Sequence, residues 1–125
     1  DVNISKLIKF HKKHGKQATL TATRPFSRYG ALKINSNNLI NNFEEKPDGD
    51  GSWINGGFFV LNPSVIDQIK DDQTSWENEP LPNLARNNQL VAFKHKDFWM
   101  PMDTLRDKIL LNKLWDNNKA PWKVW

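Results

Sequence analysis

The sequence predicts an α/β fold that joins a helix–strand unit to an antiparallel β-meander. Apolar residues recur at the helical period over residues 3–14, and the alternating, β-branched stretch 17–23 follows directly. Residues 28–62 then contain three strand-like segments separated by turn-forming residues, which is typical of a meander. The 125 residues have the length of one domain, or of part of one.

The first helix has a capping residue at each end. Asn3 is a residue type that caps helix N-termini, and Gly15 stands where a left-handed C-cap is expected. Its apolar face is formed by Ile4, Leu7, Ile8 and His11. The strand "QATLTAT" follows at 17–23, in the order of an α/β unit.

The meander is predicted from three strands and two turns. "RYGALKI" at 28–34 and "LINNFEE" at 39–45 flank "NSNN", whose residues tolerate left-handed backbone. "PDGDG" at 47–51 then turns the chain into "WINGGFFVLN" at 53–62. Because the glycines of "PDGDG" are explained by the turn, and its acidic charge opposes phosphate binding, we expect this segment to be only a connection.

The second half alternates helices with one strand. A short helix is predicted after Pro63 over "PSVIDQIK", a second within 75–87 that Pro80 and Pro82 must start or break, and a strand at 90–95. Residues 104–118 predict an amphipathic helix, with Thr104 and Asp107 spaced as a capping pair. The predicted apolar faces are Val65, Ile66 and Ile69 in the first helix, and Leu105, Ile109, Leu110 and Leu114 in the last.

Composition excludes several classes of protein. The chain has no cysteine, which rules out disulfides and thiolate metal sites and favours a reducing, cytoplasmic compartment. No apolar run is long enough to span a membrane, so we expect no membrane partner. The net charge is +4, and acidic and basic residues are interspersed along the chain except in the first helix, where lysines cluster. We interpret these lysines as a solvated helix face in preference to a surface that binds nucleic-acid phosphates. That helix carries Lys6, Lys9, Lys12, Lys13 and Lys16.

Aromatic and histidine residues leave alternatives open. The six tryptophans suit a core, a subunit interface or a sugar-stacking platform, and composition alone does not choose. His11, His14 and His95 lack the spacing of a metal site and are interpreted as surface or half-buried structural residues. No nucleophile elbow, Walker loop or dinucleotide fingerprint occurs in the chain.

Three places remain as candidate sites. Lys46 ends a strand before Pro47, where it either projects into a cleft or pairs with Glu44 on the surface. Gly56 and Gly57 lie inside a predicted strand, which favours either the close approach of a ligand or a β-bulge. Asp103 precedes the last helix, where it is either an N-cap or N-terminal charge, or a ligand for a hard cation such as Mg²⁺.

Taken together, these segments resemble one family. "FEEKP", "WINGGFFVLNPSVID", "WENEPL", "FWMPMDTLRDK" and "KAPWKVW", in this order, are similar to the C-terminal half of the glucose-1-phosphate cytidylyltransferases, a branch of the sugar-nucleotidyltransferase superfamily. The resemblance covers essentially the whole chain. It implies part of a Rossmann-like nucleotide-diphospho-sugar transferase fold with a mixed sheet. It also implies cytoplasmic synthesis of CDP-glucose and pyrophosphate from CTP and α-D-glucose 1-phosphate, an early step toward the O-antigen of lipopolysaccharide.

The resemblance also assigns roles to residues. Lys46 would hold the sugar phosphate, Glu45 would accept hydrogen bonds from glucose hydroxyls, and Asp103 would bind Mg²⁺. Lys46 and Asp103 are thus the expected catalytic residues. The remaining substrate-binding residues, on the sugar side of the cleft, would be Gly30, Asn55, Gly56 and Gly57.

The chain departs from the family pattern in one large respect. The family's glycine-rich nucleotide loop and a second metal carboxylate belong to an N-terminal half that we expect to be missing, so residues 1–125 would be inactive alone. The resemblance implies a homo-oligomer, and the tail "APWKVW" is expected to dock on the body or on a neighbouring subunit. The alternative function is a non-catalytic carbohydrate-binding or assembly module that uses exposed tryptophans, and a nucleic-acid module is a weaker third.

Overall fold

The computed structural model describes residues 1–25, 31–44 and 53–125. The helices are α1 (Ile4–His14), α2 (Pro80–Arg86) and α3 (Leu105–Asp116), with one 3₁₀ helix over Pro63–Gln68. The strands are β1 (Ala18–Thr23), β2 (Ala31–Ile34), β3 (Ile40–Glu44), β4 (Ile54–Leu61) and β5 (Leu90–Lys94). The chain divides into a sheet unit, residues 2–22 and 55–95, and a hairpin unit, residues 1, 23–54 and 96–125.

The sheet unit is built on a three-stranded sheet in the order β4-β1-β5. β1 and β5 are parallel, with Ala18 opposite Leu90 at one end and Ala22 opposite Lys94 at the other. The core of the unit joins β1 to the segments after β4, because Ala18, Val65 and Leu84 are fully buried and contact one another. These features confirm the predicted α/β character.

The caps of α1 form as its sequence predicts. The Asn3 side chain accepts the Lys6 backbone N–H at 2.8 Å, and Gly15 adopts the left-handed C-cap conformation with φ of 67°. The predicted apolar face is narrower than expected, since Leu7 is buried but Ile4 is 47% exposed.

In the hairpin unit, β2 and β3 pair antiparallel, with Ala31 opposite Glu44. The turn between them is held by the Asn35 side chain, which accepts the backbone N–H groups of Asn37 and Leu39 at 3.0 Å. Asn38 has a positive φ of 63°, as the turn-rich sequence predicts.

α3 begins with the predicted capping box. The Thr104 hydroxyl accepts the Asp107 N–H at 3.2 Å, and the Asp107 carboxylate accepts the Thr104 N–H at 3.1 Å. Most of its predicted apolar face is exposed, Leu105 at 72% and Ile109 at 59%, whereas Leu114 is half-buried. The amphipathic pattern therefore predicted the helix correctly but not the burial of its apolar face.

One sequence prediction, the pairing of the third meander strand, is wrong. The three-stranded meander is wrong in its third strand, because β4 belongs to the sheet of β1 and β5 rather than to that of the β2–β3 hairpin. The connection from Glu44 to Ile54 exceeds the roughly two to five residues of a hairpin loop, so chain proximity does not pair β3 with β4. The short helix predicted after Pro63 forms as a 3₁₀ helix, and of its predicted face Val65 is buried while Ile66 is 64% exposed.

Candidate functional site

Asn55, Gly56 and Gly57 form a local turn inside β4. The Asn55 Oδ1 atom accepts the Gly57 backbone N–H at 2.8 Å, and Gly57 has a φ of 80°. A left-handed glycine within a strand is typical of a β-bulge. The backbone alone therefore explains the glycine at 57, and the bulge alternative considered from the sequence is supported.

The same turn leaves open space beside β4. A side-chain carbon built at Gly57 would meet no atom within 4 Å, and Asn55 and Gly57 are exposed whereas Gly56 is buried. The Asn55 oxygen is already engaged by Gly57, so the amide Nδ2 group is the donor that this side chain can offer to a ligand. The segment combines free volume with one outward hydrogen-bond donor.

β4 is held in the sheet unit after this turn. Phe59 contacts the Trp76 ring edge to face, with centroids 5.6 Å apart, and Trp76 packs against the buried core. At the end of the strand the Asn62 N–H donates to the Gln17 carbonyl at 2.8 Å, which places the end of β4 beside the start of β1. The turn at Asn55–Gly57 thus belongs to a strand anchored at its far end.

Asp103 lies at the start of α3 but does not cap it. Thr104 performs that role, so the interpretation of Asp103 as the N-cap is wrong. Its side chain is exposed, and none of the described residues forms a hydrogen bond or ion pair with its carboxylate. The carboxylate is consequently accessible to a cation from solvent.

The other predicted site residues are not in the described part of the chain. Gly30, Glu45 and Lys46 fall within residues 26–30 and 45–52, as does the alternative pairing of Lys46 with Glu44. Of the described residues, Asn55, Gly56 and Gly57 lie in the sheet unit and Asp103 in the hairpin unit. Within the described ranges, no three His, Cys, Asp or Glu side chains cluster as a ready metal site.

One cationic group was missed by the sequence analysis. The Arg24 guanidinium lies over the Trp53 ring, 4.5 Å from its centroid, and both residues belong to the hairpin unit. This is a cation–π contact between the residue after β1 and the residue before β4. Nothing in the spacing of the two residues along the chain indicated it.

The tail is partly docked within its own unit. Trp122 packs on Phe98 with ring centroids 5.5 Å apart, and the Lys123 ammonium lies 4.9 Å from the Trp115 centroid. Beyond these contacts, Trp125 is 82% exposed. Docking on the body is therefore confirmed for Trp122, and the last residues project from the hairpin unit.

Comparison with known proteins identifies the family. The family model described as nucleotidyl transferase matches residues 1–113. The chain belongs to the nucleotidyl transferase family. It is 60% identical over 125 residues to the glucose-1-phosphate cytidylyltransferases of Salmonella typhimurium and Salmonella typhi, covering 100% of this chain and 48% of each relative.

More distant relatives of the nucleotidyl transferase chain include proteins named for other sugars. It is 42% identical over 118 residues to the mannose-1-phosphate guanyltransferase of Saccharomyces cerevisiae, covering 86% of this chain and 33% of the relative. The chain spans about half the length of the Salmonella relatives.

The fold also matches a solved nucleotidyltransferase. A Bacillus anthracis protein assigned provisionally as a glucose-1-phosphate thymidylyltransferase, solved with sucrose, aligns with a TM-score of 0.61 at 15% identity. The alignment covers 97% of this chain and 50% of that one. This likeness confirms the predicted Rossmann-like α/β fold with a mixed sheet.

In the described ranges, no helix is long and apolar enough to cross a membrane.

Proposed function

We propose that this nucleotidyl transferase chain supplies the sugar-1-phosphate-binding part of a glucose-1-phosphate cytidylyltransferase. The reaction would convert CTP and α-D-glucose 1-phosphate into CDP-glucose and pyrophosphate. The observation that carries the proposal is the 60% identity to the Salmonella enzymes along all 125 residues. The assignment of residues 1–125 to the C-terminal part of the enzyme stays a prediction.

The chemistry requires positioning more than covalent catalysis. A phosphate oxygen of glucose 1-phosphate attacks the α-phosphorus of CTP, a new P–O bond forms, and the bond to the departing pyrophosphate breaks. Both reactants are anionic, so cationic groups must offset their repulsion while the reacting atoms are held in line. Lys46 is proposed to hold the sugar phosphate, and Glu45 to accept hydrogen bonds from glucose hydroxyls.

The turn in β4 supports a sugar site beside it. The open space at Gly57 gives room for a sugar ring, and the Asn55 amide offers a donor to a hydroxyl oxygen. We propose that these residues, together with Gly56 and Gly30, line the sugar side of the cleft. The backbone requirement for glycine at 57 and the ligand role are compatible, because the left-handed turn creates the space that the ligand would use.

Asp103 fits the proposed binding of Mg²⁺. Mg²⁺ prefers oxygen ligands, keeps several waters and needs only one or two protein carboxylates when phosphates supply other ligands. The exposed Asp103 carboxylate, which no described residue engages, meets that requirement. When bound, the ion would neutralise phosphate charge, and the role of Asp103 would be to hold it at the start of α3.

The tryptophan-based alternative receives less support. Trp76 packs against the core, Trp122 against Phe98, and Trp53 beneath Arg24. These three rings are engaged by protein groups rather than presented as a stacking platform. A carbohydrate-binding module would bind neutral glucose as tightly as glucose 1-phosphate, and this difference gives a direct test.

The proposal is tested on the intact protein with CTP, glucose 1-phosphate and Mg²⁺. We expect CDP-glucose to form, and the affinity for glucose 1-phosphate to fall with added salt. The affinity should also fall about tenfold or more in Lys46→Ala, because hydrogen bonds to charged groups contribute about 1.5–3 kcal/mol. Lys13→Ala, which removes the same charge from the exposed face of α1, is the matched control. Equal binding of glucose and glucose 1-phosphate, with no product, would contradict the proposal.

Two further expectations concern the assembly. The isolated chain of residues 1–125 should produce no CDP-glucose, since the nucleotide loop expected of the family does not occur in its sequence. We also propose that the enzyme is a cytoplasmic homo-oligomer and that the exposed end of the tail contributes to the subunit interface. The large exposed fractions of Val124 and Trp125, 80% and 82%, support this role.

A further inference from the structure

The left-handed turn of β4 contains the one asparagine–glycine pair of the sequence, Asn55 and Gly56. The backbone nitrogen that follows an asparagine can attack the side-chain carbonyl carbon and displace ammonia. This attack is least hindered when the nitrogen belongs to glycine, which has no side chain to crowd it. The proposed function uses the Asn55 amide only as a hydrogen-bond donor, so this chemistry is separate from it.

A hydrogen bond in the turn brings the reacting groups together. The Asn55 Oδ1 atom accepts the Gly57 backbone N–H at 2.8 Å, which closes a ring through the Asn55 side chain and the Gly56 peptide. A cyclic imide would consist of Asn55 Cγ, Cβ, Cα and C with the Gly56 nitrogen, and all of these atoms belong to that ring. The turn therefore folds the attacked carbon back toward the attacking nitrogen, which lowers the cost of bringing them into reach.

The same hydrogen bond stabilises the charge that develops during the attack. As the Gly56 nitrogen bonds to Asn55 Cγ, the carbonyl electrons move onto Oδ1, which becomes an oxyanion. The Gly57 N–H already donates to this oxygen, so it acts as a preorganised oxyanion donor. The φ of 80° at Gly57 is the backbone conformation in which this hydrogen bond forms.

The solvent-facing side of the turn allows ammonia to leave and water to enter. Asn55 is exposed, and a carbon added at Gly57 would meet no atom within 4 Å. Gly56 is buried, which slows the loss of its N–H proton because burial disfavours the charged nitrogen. The reaction is therefore slow, and its product accumulates with the age of the protein.

We propose that Asn55 is a site of spontaneous deamidation, with the Gly56 nitrogen as the nucleophile. In the first step the bond from the Gly56 nitrogen to Asn55 Cγ forms and the Cγ–Nδ2 bond breaks. The proton of the Gly56 nitrogen leaves with the Nδ2 group as ammonia. In the second step water adds to one of the two ring carbonyls and breaks its bond to nitrogen, which yields aspartate or isoaspartate without any oxidant or reductant.

The two products change β4 in different ways. Aspartate keeps the main chain, and its carboxylate can still accept the Gly57 N–H, so the turn persists with an added negative charge. Isoaspartate routes the main chain through the former side chain, which lengthens it by one carbon and disturbs the register of the strand. Both products lose the outward amide donor of Asn55. A weaker affinity for sugar phosphate follows, a consequence that rests on the proposed function, whereas the deamidation does not.

The test incubates the folded, full-length protein at pH 7 and pH 9 and follows its peptides by mass spectrometry. The mass change from amide to carboxyl should appear at Asn55 and should accelerate about tenfold per pH unit, because the Gly56 nitrogen attacks after losing its proton. Asn35 is the internal control, since its Oδ1 atom accepts the Asn37 N–H at 3.0 Å in a similar turn but Ser36 follows it. Asn35 should convert about tenfold more slowly or less, because small misplacements of reacting atoms cost up to about 100-fold.

One variant extends this control. Ser36→Gly removes the crowding side chain from the Asn35 turn and should raise the rate at Asn35 about tenfold, toward that of Asn55. Conversion of Asn55 only in urea-unfolded protein would overturn the proposal. So would a rate at Asn55 no greater than that at Asn35, a rate that does not depend on pH, or an unchanged rate at Asn35 in Ser36→Gly.

The effect on the sugar site is measured separately, on protein that has not been aged. Asn55→Asp reproduces one product and should bind glucose 1-phosphate about tenfold more weakly, because a donor is lost and a like charge is added. Asn55→Gln keeps an uncharged amide and should lose less affinity. Normal binding by Asn55→Asp would reject the role of Asn55 in the sugar site, and the mass change on ageing would still establish the deamidation.

Discussion

Replacing Gly57 tests both the backbone geometry of β4 and the proposed sugar site. Its φ of 80° lies in the left-handed region, where a residue with a side chain carries a penalty of roughly 1–2 kcal/mol. No atom lies within 4 Å of the added carbon, so the penalty comes from the backbone and not from a clash. Gly57→Ala should therefore lower the free energy of unfolding by about 1–2 kcal/mol, and Gly57→Val by more because it is β-branched.

This loss is small enough to leave the protein folded. Domains are typically stable by about 5–15 kcal/mol, so Gly57→Val should remain native at 25 °C. The valine side chain would occupy the open space beside β4, and binding of glucose 1-phosphate to the intact enzyme should be abolished. Urea unfolding measures the first effect, and titration calorimetry with glucose 1-phosphate measures the second.

Gly15 supplies a matched control. It has a similar φ of 67° with no atom within 4 Å of an added carbon, but it ends α1 instead of lining β4. Gly15→Ala should lower stability by a similar amount and leave sugar-phosphate binding intact. If Gly57→Ala unfolds at the same urea concentration as the unmodified protein, the strain argument fails. If folded Gly57→Val binds glucose 1-phosphate normally, the sugar-site proposal fails.

Three further predictions concern the hairpin unit of the intact protein. Asp103→Asn should lower the rate of Mg²⁺-dependent CDP-glucose formation by roughly 100-fold or more at unchanged thermal stability. The exposed control Asp72→Asn should retain activity, and equal rates in the two variants would exclude a metal role for Asp103. Thr104→Ala removes half of the capping box and should cost about 1 kcal/mol in a denaturation experiment, and an unchanged midpoint would refute this. Truncation after Asn118 should reduce the solution mass measured by light scattering, and an unchanged mass would show that the tail is not needed for assembly.

Local structure was predictable because its signals lie within a few residues of one another. The α1 caps and the α3 capping box each depend on residues within or directly beside a single helix, and they form as predicted. The partner of β4 was not predictable in this way, since it is chosen by β1, a strand distant along the chain. The exposed faces of Ile66 and Leu105 show the same limit, because helical periodicity identifies an apolar face but not what covers it.

The site was predicted by resemblance more than by physical pattern. The family supplied the role of Glu45, whereas a cleft-facing Lys46 and a cation-binding Asp103 were already open alternatives from the sequence alone. The structure adds that Gly57 is required by a left-handed backbone, and that Thr104 frees Asp103 from capping the helix. The hydrogen bonds of the His11 ring with Thr19 and Asn62 had no sequence signal, because they join three separate segments of the chain.

The parallel pairing of β1 with β5 sets an order of events during protein synthesis. β1 leaves the ribosome before its partner Leu90–Lys94, which emerges only after the hairpin, β4 and α2 have been made. At about 5–20 residues per second this delay is on the order of several seconds, during which one edge of β1 has no strand to pair with. Unpaired edges favour aggregation, so a translational pause before residue 90 should lower the yield of folded protein more than a pause after residue 94.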